Sequence, residues 1–205
     1  MISRLNDIKR RVLVLCAFFI CASTVHASYV IVNDNIINRK VTQKVESLGN
    51  ELFLKTGVSV YVAVPKSLEK MNIKKYEESL LKGLKEPFVV FTLAKSEQKV
   101  DIINSNSLDD KFDKESTLSP FPWSGTVIPI LSAKKENDKY NAAVLNGYAD
   151  IVEQIASSYN VKLEGALGNT NKNIYFYLRI LVYGFLIYII SRYFYRLIRR
   201  KNDKN

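Results

Sequence analysis

The hydrophobic positions of this chain alternate between helical and extended spacing. Apolar residues recur every three to four positions over residues 38–55, and Gly57 follows them, which predicts an amphipathic helix that ends at a turn. Val58–Val64 is almost wholly apolar or β-branched, which is typical of a strand covered on both faces. The pattern over residues 38–64 therefore predicts a helix followed by a strand.

The same pattern predicts a second helix and then a hairpin. Apolar residues at helical spacing begin at Ile73 and reach Leu84. Phe88–Ala94 and Lys99–Ile103 are two apolar runs separated by a short polar turn, so we expect them to pair as a hairpin. The charged residues of the second helix predict a solvated face: Lys74, Lys75, Glu77, Glu78, Lys82 and Lys85.

The segments after the hairpin differ in the structure that they predict. Residues 104–118 are polar and without periodicity, which predicts a surface loop. Pro129 argues against a central strand in the apolar run that comes next. A clear apolar stripe over residues 140–159, with Asp138 as the expected N-cap, predicts a third helix. We therefore expect one α/β domain over residues 28–160.

Apolar segments with basic flanks lie at both ends of the chain. Val12–Val25 is too short to span a bilayer comfortably, follows Arg and Lys, and is followed by small residues up to Ala27, which predicts a cleaved signal peptide over residues 1–27. The alternatives are an uncleaved anchor and a core helix. Ile174–Ile190 is apolar with one charge and is followed by a basic stretch. We predict a transmembrane helix over residues 174–195 and a basic tail over residues 196–205.

The basic flanks also predict the topology. Because Lys and Arg near membrane segments stay in the cytoplasm, both flanks are expected inside and the domain outside. This places the protein in the cytoplasmic (inner) membrane, with its domain facing the periplasm or cell exterior and its tail in the cytoplasm. The Gly- and Asn-rich residues 161–173 are expected to form the juxtamembrane linker.

Charge is distributed in agreement with this topology. The formal net charge is +10, yet residues 28–173 hold 19 Lys+Arg and 18 Asp+Glu, so the excess lies in the two ends. A basic surface for nucleic acid is therefore not expected on the domain, and we predict no nucleic-acid partner.

Cysteine and histidine are confined to the predicted signal peptide. Cys16, Cys21 and His26 are the only such residues in the sequence, so the processed product would contain neither type. This excludes a disulfide framework, Cys/His zinc sites, cysteine nucleophiles and a Ser/His/Asp triad within the mature chain.

The order of elements from residue 29 to about 159 resembles the TPM domain family. The stretches that carry the likeness are VNDN from Val32, LFLKTGVSVYVAVPKSL from Leu52, PFVVFTLAKSEQKVDII from Pro87 and YNAAVLNGYADIVEQI from Tyr140. The resemblance implies a small mixed sheet covered by helices, an α/β sandwich outside the cytoplasm. The family's glycine-rich turn after the third strand is replaced here by Asn104-Ser105-Asn106-Ser107, and its tryptophan-containing stretch before the second strand is missing.

The resemblance also implies an accessory role more readily than a reaction. Family members include auxiliary factors of membrane complexes, and some have been proposed as acid phosphatases or calcium binders. Asp34 matches the family's aspartate ahead of the first helix, where it would act as a metal ligand or phosphoryl acceptor. The alternative, which we favour, is that Asp34 caps that helix.

Two further groups are candidates for binding. The acidic residues Asp109, Asp110, Asp113 and Glu115 offer oxygen ligands but match no EF-hand, so a solvated loop is expected, with weak calcium binding as the alternative. Phe121 and Trp123 lie between prolines and before Gly125, and such an aromatic loop can anchor a partner or touch the bilayer interface. The alternative is a loop folded back onto the core.

We expect a membrane-tethered accessory or scaffold protein that binds a membrane-protein partner, with no catalytic residues, no metal site and no required cofactor. One alternative is a metal-dependent hydrolase, most readily a phosphatase, which would have to use carboxylates and a metal. A second alternative is an envelope sensor that signals through the basic tail.

Overall fold

The computed structural model describes residues 28–133, 138–167 and 170–202, so the predicted signal peptide lies outside the described residues. Within them the strands are β1 (Val30–Asn33), β2 (Ser59–Val64), β3 (Phe88–Ala94) and β4 (Lys99–Asn104). The α-helices there are α1 (Arg39–Thr56), α2 (Ile73–Leu80), α3 (Lys114–Thr117), α4 (Ile128–Leu131), α5 (Lys139–Ser158) and α6 (Thr170–Asn202), and a 3₁₀ turn covers Asn106–Leu108.

The described strands form one mixed sheet in the order β1-β2-β3-β4. β1, β2 and β3 are parallel, whereas β3 and β4 pair antiparallel as the predicted hairpin. The predicted α/β class with a small mixed sheet covered by helices is therefore confirmed. β1 was not predicted, and β2 is thus the second strand of the chain and not the first.

Helices cover both faces of the sheet. The ring of Phe91 lies so close to Gly147 of α5 that a Cβ at that glycine would contact the ring at 3.1 Å. Thr92 is the next residue of β3 and therefore points to the opposite face, where it neighbours Glu77 of α2. α5 and α2 consequently lie on opposite sides of β3.

α1 and α5 run side by side in the same direction. Asn38 caps α1 by accepting a hydrogen bond from the Val41 amide at 3.0 Å, and its own amide donates to Asn141 Oδ1 at the start of α5. α1 ends at Gly57, whose φ of 76° is left-handed and favours glycine. The hydroxyl of Tyr148 in α5 donates to the Val60 carbonyl at 2.9 Å, which ties the helix layer to β2.

Three local predictions need correction. The prediction that Glu77 lies on a solvated face is wrong, because it is four residues after Ile73 and shares the buried side of α2, with 1% of its surface exposed. Residues 104–118 are not a plain loop, since they form the 3₁₀ turn and α3 and bury Leu108. Asp138 stands before α5 as expected, but with φ of 84° and without a side-chain cap hydrogen bond.

The chain leaves the domain through residues 161–167 and enters α6. These residues lie against α1 and α5, and α6 begins at Thr170 and extends for 33 residues. In the described part of the chain, no helix is both long enough and apolar enough to qualify as a membrane span. The side chains of α6 that the structure describes are those of residues 177–193, 195 and 196, and all of them are exposed.

Candidate functional site

Phe121 and Trp123 form a stacked pair on the surface of the domain. Their ring centroids are 4.9 Å apart and their planes differ by 18°. Phe121 is 52% exposed and Trp123 is 50% exposed, so neither ring is folded back onto the core. We call residues 119–125, which carry this pair, the aromatic loop.

Hydrogen bonds within the aromatic loop hold it in one conformation. The Gly125 amide donates to the Phe121 carbonyl at 2.7 Å, and the hydroxyls of Ser119 and Ser124 share a hydrogen bond of 2.7 Å. Gly125 is required here because a Cβ at this position would overlap the carbonyl oxygen of Ser119. The backbone therefore presents the two rings in a fixed arrangement.

A buried aspartate of α5 holds both ends of the aromatic loop. Asp150 is 2% exposed and its Oδ2 accepts hydrogen bonds from Thr117 Oγ1 at 3.0 Å and from Thr126 Oγ1 at 2.8 Å. The amides of Thr126 and Val127 both donate to the Thr117 carbonyl, which closes the loop at its base. Gln154 of α5 adds a hydrogen bond to Thr117 Oγ1 at 3.1 Å.

This arrangement is suited to binding. A rigid loop loses little conformational entropy when a partner covers it, and exposed aromatic rings are frequent anchors of protein interfaces. Stacked rings offer one flat apolar surface with an edge open to further side chains. The loop carries two serine hydroxyls but no charged side chain, so it supplies a contact surface and no evident reaction chemistry.

Asp34 does not cap the first helix, so that prediction is wrong. α1 begins at Arg39 with Asn38 as its cap, several residues later. Asp34 Oδ2 instead accepts a hydrogen bond from the Lys66 amide at 2.8 Å, and the Asp34 amide donates to the Val64 carbonyl. Asp34 thus ties the end of β1 to the segment after β2.

The acidic residues after β4 are largely engaged in local contacts. Asp109 accepts from Asn104 Nδ2 at 2.8 Å, and Asp113 caps α3 by accepting from the Ser116 amide at 2.8 Å. Asp110 pairs with Lys111 at 3.8 Å on the surface. Across residues 28–133, 138–167 and 170–202, no three His, Cys, Asp or Glu side chains come together in a group that could hold a metal ion.

The domain has a cleft at the carboxyl end of β3, and the carboxyl ends of parallel strands are where ligands usually bind in such sheets. Its volume is about 250 Å³, and Leu93, Val100, Ile128 and Tyr140 are among the residues that line it. Lys95 and Lys139 both point at the Tyr140 ring, at 5.2 and 5.5 Å from its centroid. The adjoining pocket that Lys95, Lys139 and Tyr140 line measures about 480 Å³, which is within the range of about 300 to 1,000 Å³ usual for small-ligand sites, so volume does not exclude a ligand at this end of the sheet.

Glu77 is a buried acid that the sequence pattern did not reveal. Desolvation by burial raises the pKa of its carboxyl to about 7, and nearby Asp101 adds to the increase, while Thr92, Lys114 and Lys74 oppose it. Glu77 Oε1 and Thr92 Oγ1 are buried and make no well-aligned hydrogen bond. The carboxyl is thus half-protonated near neutral pH, because the low-polarity environment disfavours its charge.

A comparison with known proteins finds no family model and no curated sequence that matches this chain.

Two of the sequence signals agree with the geometry of the site: the prolines beside Phe121 and Trp123, and the glycine after them. The anchoring role of Asp150 was missed, because an acidic residue inside a helical stripe is ordinarily assigned to the solvated face. Its threonine partners lie 33 and 24 residues away in sequence, and no local pattern links them.

Proposed function

We propose that this chain is a membrane-tethered accessory protein with a TPM-like outer domain that binds a protein of the same membrane through the aromatic loop. The single observation that carries the proposal is the half-exposed Phe121–Trp123 stack on a loop fixed by Asp150. Exposing two large aromatic rings to water is unfavourable, and covering them with a partner would be favourable.

The proposed tether is α6. At 1.5 Å per residue its 33 residues measure about 50 Å, of which the apolar stretch Ile174–Ile190 supplies about 26 Å, near the lower limit for a bilayer span. Large apolar side chains along it, from Tyr177 to Ile190, are exposed to the surroundings, which is unfavourable in water and favourable in lipid. The basic residues after Ile190 support a cytoplasmic tail by the positive-inside rule.

A membrane tether favours a partner in the same membrane over a freely diffusing partner. Confining both proteins to one bilayer raises their effective concentration, so a small contact surface is sufficient. Two aromatic rings bury only part of the roughly 800 Å² that each partner contributes to a standard interface. The proposed contact is therefore weak in solution and significant only between membrane neighbours.

Copurification from detergent-solubilised envelopes tests the proposal. The full chain should retain defined membrane proteins, and the double variant Phe121→Ala with Trp123→Ala should lose them at unchanged abundance. The matched control is Lys75→Ala with Glu78→Ala, which also removes two exposed side chains but leaves the aromatic loop intact. Equal recovery with both double variants, or no partner with the unaltered chain, would overturn the proposal.

A further inference from the structure

Three exposed apolar side chains lie near the point where the domain joins α6. Phe53 and Leu54 are in the last turn of α1 and are 46% and 74% exposed. Leu167 is the last described residue before α6 and is also exposed. We call Phe53, Leu54 and Leu167 the juxtamembrane patch.

The segment that precedes α6 is fastened to the same helix that carries Phe53 and Leu54. Residues 161–167, which we call the strap, bury Leu163 and place their backbone amides against two glutamates. The fastening contacts are Glu164 N to Glu51 Oε1 at 2.5 Å, Gly165 N to Glu51 Oε2 at 3.0 Å, Lys55 Nζ to the Lys162 carbonyl at 2.7 Å and Leu167 N to Glu153 Oε1 at 2.8 Å.

The strap limits how far the domain can stand from the start of α6. Three residue steps join Leu167 to Thr170, and they span at most about 11 Å when fully extended. From Thr170 to Ile174, the first residue of the proposed span, α6 rises about 6 Å. Leu167 therefore lies within about 17 Å of the level at which α6 would enter the hydrocarbon, and Leu54 is only three residues along α1 from Glu51, which holds the strap.

We propose that the juxtamembrane patch rests on the lipid bilayer, with Phe53 and Leu54 inserted into the headgroup region. This inference rests on the proposed function, because it requires α6 to be a membrane anchor. Because the connection to α6 is short, it keeps the patch near the bilayer in every copy of the protein. Aromatic and aliphatic side chains at the end of a helix are suited to the interface, where they leave water without entering the hydrocarbon completely.

Fluorescence quenching in lipid nanodiscs tests this contact in the full chain. Cys16 and Cys21 are changed to serine, and single cysteines are introduced by Leu54→Cys, Lys75→Cys or Val182→Cys and labelled with a small environment-sensitive dye. Lys75 is exposed on α2, on the far side of the sheet, and Val182 lies within the proposed span. We expect lipids that carry a spin label near the headgroup to quench the label at position 54. Aqueous iodide should quench the label at position 54 several-fold less than it quenches the label at position 75.

The outcomes separate this inference from the proposed function. If the label at 182 is shielded from iodide while the label at 54 is as accessible as the label at 75, α6 is inserted and only the bilayer contact is overturned. If the label at 54 is shielded from iodide yet untouched by the spin-labelled lipid, protein covers the patch and the inference is again overturned. If the label at 182 is open to iodide, the anchor and the inference fail together.

Discussion

Asp150 and Thr126 are joined by a hydrogen bond of 2.8 Å between the aspartate carboxylate and the threonine hydroxyl. Asp150 lies inside α5, and Thr126 directly follows the aromatic loop, so this bond fixes the end of the loop. The same carboxylate holds Thr117 before the loop at 3.0 Å. One buried side chain thereby sets the position of Phe121 and Trp123.

Removing that carboxylate should destabilise the domain. Asp150→Ala leaves the buried hydroxyl of Thr117 and the half-buried hydroxyl of Thr126 without this acceptor and opens a small cavity, which together cost about 2 to 4 kcal/mol. Urea unfolding of the full chain in detergent measures this loss. Glu78→Ala on the exposed face of α2 is the control and should change the free energy of unfolding by less than about 0.5 kcal/mol. Equal effects of the two variants would contradict the anchoring role of Asp150.

Gly125→Ala should open the aromatic loop while the domain stays folded. The new Cβ overlaps the Ser119 carbonyl oxygen, and relieving that overlap costs about 1 to 3 kcal/mol and separates the stacked rings. Trp123 is the single tryptophan of the chain, so its emission maximum and its quenching by acrylamide report the change directly. Gly184→Ala in α6 is the matched control, because nothing lies near a Cβ there and the Trp123 signal should stay unchanged.

Glu77→Gln should stabilise the domain at high pH and have little effect in acid. The folded-state pKa of about 7 exceeds the ordinary glutamate value, so the folded protein retains a proton that the unfolded chain loses. Stability therefore falls as pH rises from about 4.5 to 7, and the neutral glutamine avoids that loss.

The expected gain at pH 8 is roughly 1 to 2 kcal/mol, since one pKa unit corresponds to about 1.4 kcal/mol and solvent near the protein surface screens part of the effect. Unfolding at pH 5 and pH 8 measures it, with Glu78→Gln as the exposed control. A gain of equal size at both pH values would show that the carboxyl of Glu77 keeps its ordinary pKa.

The strap should loosen when Glu51 is replaced. Partial burial acts to raise the pKa of Glu51, but the hydrogen bonds from Lys55, Glu164 and Gly165 outweigh it and lower the pKa, so the strap is held by a carboxylate. Glu51→Ala removes that acceptor, and the amides of Glu164 and Gly165 should exchange with deuterium roughly ten-fold faster. Hydrogen exchange read by mass spectrometry checks this, and unchanged exchange would mean that the strap is held by Lys55 and Glu153 alone.

The long helices α1 and α5 and the hairpin of β3 and β4 were predictable because their apolar patterns are clear in the sequence. α1 and α5 have 18 and 20 residues, so their buried stripes repeat often enough to be recognised. β1 has only four residues, all of them partly exposed, and so short a run carries too little periodicity to predict its pairing with β2.

The polar core was not predictable for a different reason. Glu77 and Asp150 are acidic residues within helices, and sequence reasoning assigns such residues to the solvated face. Asp150 is buried where Thr117 and Thr126 approach it from a distant segment, and Glu77 is buried because it lies four residues after Ile73 on the side of α2 that faces the sheet. The aromatic loop was recognisable from its prolines, but its stacking and its anchoring depend on these long-range contacts.

Photo-crosslinking in living cells tests the central claim most directly. A photoreactive phenylalanine analogue replaces Trp123 in one strain and Lys75 in another, and both positions are exposed. We predict discrete protein adducts from position 123 in the membrane fraction, absent at position 75 and lost when Gly125→Ala is added. Adducts of the same size and intensity from both positions, or lipid adducts alone at position 123, would contradict a partner-binding role for the aromatic loop.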